Sequence, residues 1–255
     1  MKRNMLRFVS ILVFLFSIVL IGYCGQTENK ESGKRILLAN ESICFNGTFD
    51  YFSKYVFRGV TVDEDPVVQP SFSINYKTIN ASFWSSMPIQ NTNDAVDSNE
   101  IDLTVSYTKS FEPADISIGH VSYHYPYSGS SSTKEWFVSL TINNLPVGIN
   151  IMYYDDYDYY KGSYSSLEVT KNVSLINEYD IETILYVHLG SYVNYDIYRQ
   201  GGDYVLGTKI IIPVREKMTI TPSLFYSVPF GDVADENIGN QIPSIYGGFS
   251  LGFCF

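Results

Sequence analysis

The 255-residue sequence is poor in charge, in helical periodicity and in long apolar runs. Asp, Glu, Lys and Arg make up only 17% of it, which suits half-buried strands better than the solvated exterior of a water-soluble α/β enzyme. Beyond the first two dozen residues no stretch shows apolar positions at helical spacing. No run there approaches the roughly 18 residues of a membrane helix, and the only repeat is a hairpin rhythm. Basic residues are scarce too. Three of the 17 Lys and Arg lie near the N-terminus, leaving 14 against 27 Asp and Glu, a net charge of −13 that argues against nucleic-acid binding. The three histidines, His120, His124 and His188, lack the tight ligand spacing of a metal centre. No cofactor is implied.

Aromatics are abundant instead, with 22 Tyr and 16 Phe, as interfacial girdles of a membrane barrel require. Residues 1–23 read as a secretory signal: Lys2, Arg3 and Arg7 precede the apolar run Phe8 to Ile21, and small residues follow around Gly22. Cys24 loosely resembles a lipidation site, but the bulky Tyr23 before it favours ordinary cleavage. The polar segment 24–42 is expected to be a periplasmic lead-in, and 43–255 one β-barrel.

Twelve alternating runs of about ten residues begin near Ile43, Pro66, Ile79, Ile101, Asp115, Lys134, Pro146, Tyr160, Asp180, Asp203, Lys217 and Ser244. In the run from Ile101, Leu103, Val105 and Tyr107 oppose Asp102, Thr104, Ser106 and Thr108. Short connections, such as Lys77-Thr78, Ser110 to Pro113 and Arg215-Glu216, alternate with long ones. That is the habit of outer-membrane barrels, with short periplasmic turns and long external loops. The final run, Ile245 to Phe255, places Phe249, Leu251, Phe253 and Phe255 on one face. It looks like the terminal strand that barrel-assembly machinery reads. An open sheet edge is excluded in hydrocarbon, so this run is expected to pair with the first, Ile43 to Gly59. The fold class predicted is a closed antiparallel transmembrane β-barrel of about 12 strands, all-β.

More specific are SKYVFRGV (Ser53 to Val60), DPVVQPSFSINY (Asp65 to Tyr76) and INASFWSS (Ile79 to Ser86). These stretches resemble the porin family called TorF, whose members carry an S-x-Y-x-F-R-G opening, a Pro-x-x-Gln pair and a small-x-x-Trp-x-Ser pattern. Ile79-Asn80 stands where that family has Gly. The resemblance implies an outer-membrane barrel with a transport role and carries no catalytic residues.

On the first run the even positions Asp50, Lys54 and Arg58 share the polar, lumenal face, where Gln69, Trp84, Glu182 and Lys209 can join them, with Phe52 and Phe225 narrowing the passage. Such charges either select solutes or neutralise one another in a narrow barrel. Parity assigns His120, Ser122 and His124 to the lumen, with Val121, Tyr123 and Tyr125 outward, and His188 inward. His-x-Ser superficially resembles the base and nucleophile of outer-membrane lipid A deacylases, but a lumenal pair cannot reach lipid. Acidic external loops at Tyr153 to Tyr160, Asp63 to Asp65 and Asp232 to Glu236 either bridge cations or simply hold water. Cys44 and Cys254, at the start of the first run and the end of the last, either form a disulfide across the seam or remain unpaired.

The function expected is passive diffusion of small solutes through a bacterial outer-membrane channel. The expected partners are outer-membrane lipid, the assembly machinery and a small solute, with no oligomeric state implied. The alternatives are a non-conducting barrel whose external loops bind a ligand or partner, and a barrel-embedded lipid hydrolase.

Overall fold

The structure, a computed structural model, describes residues 43–90, 99–126, 131–176, 179–235 and 239–255; the expected signal (1–23) and lead-in (24–42) lie outside them. Twelve strands form the wall: β1 Cys44–Phe52, β4 Val67–Tyr76, β5 Ile79–Pro88, β6 Glu100–Phe111, β7 Ala114–His124, β8 Thr133–Ile142, β9 Gly148–Asp156, β10 Gly162–Ile176, β11 Ile181–Val193, β12 Gln200–Arg215, β13 Met218–Gly231 and β14 Ser244–Cys254. Two short strands, β2 Tyr55–Phe57 and β3 Val60–Asp63, form a separate hairpin. Every wall strand is antiparallel to its chain neighbour, and β14 closes on β1 from Asn46↔Cys254 to Phe52↔Gly248. The chain is thus a closed twelve-stranded barrel.

Period-two alternation produces an inside-out protein. On β6, Leu103, Val105 and Tyr107 are about half exposed on the outer face while Thr104, Ser106 and Thr108 face inward. Ile151 and Tyr153 of β9, Leu224 of β13 and Phe249 of β14 continue the apolar exterior. In water each would lose the roughly 1.5–3 kcal/mol that burial of such a side chain gives; against hydrocarbon the penalty disappears. Among the described residues the buried hydrophobics are few and half of them are Tyr, whereas buried Glu, Asp, Ser and His line the interior.

The structure amends the sequence reading in three places. The first wall strand stops at Phe52 rather than reaching Gly59. β10 stays paired with β11 as far as Ile176↔Ile181, through most of the stretch Asn172 to Tyr179 expected to be a connection. On β7 the expected facing is reversed: Val121 and Tyr123 are buried inward, and His120, Ser122 and His124 lie outward beside Val105, Leu103 and Ile101 of β6. Ile116 and Ile118 set the outward parity of β7, and an unbulged strand keeps that parity to its end.

Candidate functional site in the lumen

After Phe52 the chain leaves the wall and enters the lumen. The departure is anchored on β14, where Ser53 N–H donates to Gly247 O (2.9 Å) and Gly247 N–H to Ser53 Oγ (3.2 Å). β2 and β3 then pair around the turn Arg58-Gly59, whose residues both have positive φ, +49° and +82°. Positive φ at both central residues matches the right-handed twist of a two-residue hairpin. Glycine adopts it freely; arginine does so at about 1–2 kcal/mol. A Cβ on Gly59 would stand 2.6 Å from Asp203 Cβ on β12, so the turn also needs glycine for space.

The strained arginine is held by a buried ion pair. Its Nη1 and Nη2 donate to Oε1 and Oε2 of Glu135 on β8, both at 2.8 Å, with side chains 7% and 1% exposed. The guanidinium also lies over the rings of Phe57, Tyr154 and Tyr164, 4.4–4.8 Å from their centroids. Burial opposes its charge, and the Glu135 carboxylate more than offsets that, holding the pKa of Arg58 above its ordinary value. Glu135 accepts further from Tyr123 (2.8 Å) and Tyr195 (3.4 Å), and Tyr192 donates to Arg58 O (3.4 Å). Tyr154 belongs to β9, six places from β1 in either direction around the closed order. The hairpin therefore spans the lumen to the opposite wall.

A second anchor is Tyr55, which donates to Glu100 on β6 (2.8 Å) and packs against Trp84 of β5 at 5.6 Å. Burial and the Glu100 carboxylate push its hydroxyl well above the usual tyrosine range. Beside the tip, His188 of β11 sits between carboxylates, with Glu168 and Asp203 each 3.5 Å from a ring nitrogen, and Tyr164 bonds both His188 (2.9 Å) and Asp203 (2.8 Å). Between hairpin and wall is a cavity of about 510 Å³, bounded by aromatic rings that include Trp84, Tyr186, Phe225 and Tyr246 and by Gln69, Glu168 and Lys209.

The expected lumenal residues separate accordingly. Gln69, Trp84, His188 and Lys209 line the cavity, with Gln69 donating to Ser86 (3.2 Å) and the Lys209 ammonium 5.6 Å from the Phe225 ring. Asp50 faces inward on β1 and accepts from Thr48 (3.2 Å). Lys54 and Arg58 do not stand above it on the wall: Lys54 pairs with Glu64 in the inserted segment, and Arg58 is at the hairpin tip. Glu182 is near the short-turn end of β11, six residues from His188 and roughly 20 Å along the strand. The acidic loops also change meaning. Asp156 is buried, accepting from Thr133 (2.7 Å) and Tyr195 (3.3 Å), while Glu236 lies outside the described residues. Glu135, Tyr55, Glu100 and Tyr123 were not anticipated. A signal existed in Arg58-Gly59, a two-residue turn between the apolar pairs Tyr55/Phe57 and Val60/Val62.

On the outer surface His120 bonds the Tyr157 hydroxyl (2.8 Å) and meets Trp136 edge-on at 4.9 Å, forming part of an aromatic girdle. Lys134, paired across the ladder with Ser122, bonds Asp158 (3.1 Å).

A family model described as a bacterial protein of unknown function (Gcw_chp) matches residues 39–158, a range that holds β1 to β9 and the inserted hairpin. Similar solved structures include the NanC porin in a rhombohedral crystal form, at 11% identity and TM-score 0.52 over 83% of this chain and 99% of that one. The KdgM porin is similar at 9% and 0.52 over 83% and 99%. KdgM in complex with disordered oligogalacturonate gives 9% and 0.50 over 83% and 98%. The barrel has the porin fold. No curated protein matches the chain.

Proposed function

We propose that the chain is a bacterial outer-membrane channel for passive diffusion of small solutes, narrowed by the segment Ser53 to Asp65. The observation that carries this reading is a closed wall, apolar outside and polar inside, that retains a 510 Å³ cavity beside its inserted hairpin. The apolar belt meets outer-membrane lipid, the secretory signal delivers the chain to the periplasm, and the Phe-ended strand engages the assembly machinery. The TorF-like motifs fall within the matched region 39–158 and support an affiliation with that porin family.

Selectivity follows from charge. Around the hairpin Glu64, Glu100, Glu135, Asp156, Glu168 and Asp203 outnumber Lys54, Arg58, His188 and Lys209. An oligogalacturonate, the ligand of one similar porin, is a chain of sugar acids; a lumen with excess carboxylate disfavours such a polyanion and favours neutral or cationic solutes. No turnover is involved. His120 and Ser122 do face lipid, so parity no longer argues against hydrolysis, but the His120 ring nitrogen is engaged by a tyrosine rather than an orienting carboxylate.

One observation favours the non-conducting alternative: the buried Arg58–Glu135 pair, reaching across the lumen, resembles the fastening of a plug. Single-channel recording in planar bilayers separates the two. Discrete cation-preferring openings, enlarged by Arg58→Ala, support the channel. Silence from heat-modifiable folded protein, in the Arg58→Ala variant as well, supports the plugged barrel. Ester release from lipid that disappears in Ser122→Ala would establish the hydrolase instead.

A further inference from the structure

Eleven of the twelve wall joints are bridged by the chain itself; the seam between β1 and β14 is not. Its ladder, Asn46↔Cys254 to Phe52↔Gly248, is also the shortest around the barrel. At its Cys254 end one further pair extends it: Phe45 N–H donates to Phe255 O (3.1 Å) and Phe255 N–H to Phe45 O (2.8 Å). Beyond that pair the wall has only side chains with which to hold the seam.

Two of those side chains are thiols. Cys44 and Cys254 are 210 residues apart in sequence, and their Sγ atoms are 3.9 Å apart. The register opposes Cys254 to Asn46, so Cys44 stands diagonally across the seam from it, and carrying the sulfurs from contact to the roughly 2.05 Å of a disulfide takes side-chain rotation together with a small shift of the two strand ends. Cys254 is exposed and Cys44 partly so; an oxidant can reach both. Neither touches the hairpin or the cavity.

We infer that Cys44 and Cys254 form a disulfide that staples the barrel seam. The inference rests on the proposed export, because the oxidant is a periplasmic dithiol–disulfide donor. One Cys thiolate attacks the donor disulfide, forms a mixed disulfide and releases one donor thiolate. The other Cys thiolate then attacks the mixed disulfide at the first Cys sulfur and releases the second donor thiolate. Two protons and two electrons leave the Cys pair, and the donor becomes a dithiol. The bond closes a very long loop, so it limits the freedom of the opened chain where loop closure is most unfavourable.

The test uses full-length protein recovered from outer membranes, shown to be folded by heat modifiability, denatured without reductant and treated with maleimide. The expected result is a Cys44–Cys254 cross-linked peptide, neither thiol labelled, and an intact mass two hydrogens below the reduced form. Cys44→Ser should leave Cys254 fully labelled, and Cys254→Ser the converse. Two labelled thiols in the folded wild type, or a cross-link from either to Cys24, would overturn the inference. Refolding in detergent with a glutathione redox couple separates pairing from export: cross-linking there supports the pairing even if the chain stays out of the outer membrane, and free thiols there refute it. Oxidised protein should also keep its folded gel band to a higher temperature than the same sample reduced; coincident unfolding would refute the stapling role.

Discussion

Along β4 the inward side chains run Gln69, Ser71, Ser73, Asn75 from the long-loop end to the short-turn end; along β6 they run Glu100, Asp102, Thr104, Ser106, Thr108. β8 goes from Glu135 through Phe137 to Ser139 and Thr141, and β10 from Tyr164 through Glu168 to Thr170. Each strand changes chemistry partway down, from large, charged or aromatic groups to small hydroxyls and amides. The lower groups bond their nearest neighbours across the ladder, as in Thr48–Ser71 (2.9 Å), Thr108–Ser117 (2.7 Å) and Asn80–Asn75 (2.7 Å). The upper groups bond the hairpin or its supports. The change falls where β2 and β3 dock, so the upper lumen is a built site and the lower lumen a lining.

Removing the site should have the largest effect. Replacing residues 54–63 with a short Gly-Ser link should leave the wall folded and raise single-channel conductance several-fold; unchanged conductance would mean the hairpin does not limit flow. Next comes Arg58→Ala, which strands Glu135 in a buried site. Loss of one partner of such a pair typically costs about 3–5 kcal/mol, so the hairpin should undock, seen as protease cleavage within 53–65 while the barrel band persists. Glu135→Gln, which keeps hydrogen bonds and loses the charge, should give partial cleavage in the same assay. Gly59→Ala should act in the same direction by about 1–2 kcal/mol, since it needs a left-handed alanine against Asp203. The smallest change is expected from Thr141→Ala in the lining. It removes one bond to Asn150 (3.2 Å), worth about 1 kcal/mol or less, and should leave conductance and ion preference as in wild type. A large effect there would erase the distinction between the halves.

Much of the wall was legible because one face of each strand meets a uniform environment. The parity of Leu103, Val105 and Tyr107, of Phe249 and Leu251, and the pairing of the last strand with the first all follow from the period of two. The upper lumen was less legible, because its groups are amphipathic. Tyr123 reads as a girdle residue by composition, yet its hydroxyl is bound to Glu135 inside. Parity carried up from Ile116 and Ile118 would have placed His120 correctly; the local apolarity of Val121 and Tyr123 pointed the other way. Likewise Ser53 to Val60 alternates well enough to pass for wall strand, and only Arg58-Gly59 marks the reversal. Partners 77 residues away, as Glu135 is from Arg58, leave no local trace in a sequence. Inward Gln69, Trp84, His188 and Lys209 were found because they belong to the regular wall.

The reach of the hairpin has a consequence for how such chains can change. Arg58 is fixed to the far wall by bonds that tolerate a few tenths of an ångström. Gaining or losing one pair of wall strands alters the diameter by roughly 4 Å, more than the arginine can follow. Barrel girth and hairpin length must therefore vary together: the inserted segment acts as a ruler across the bore.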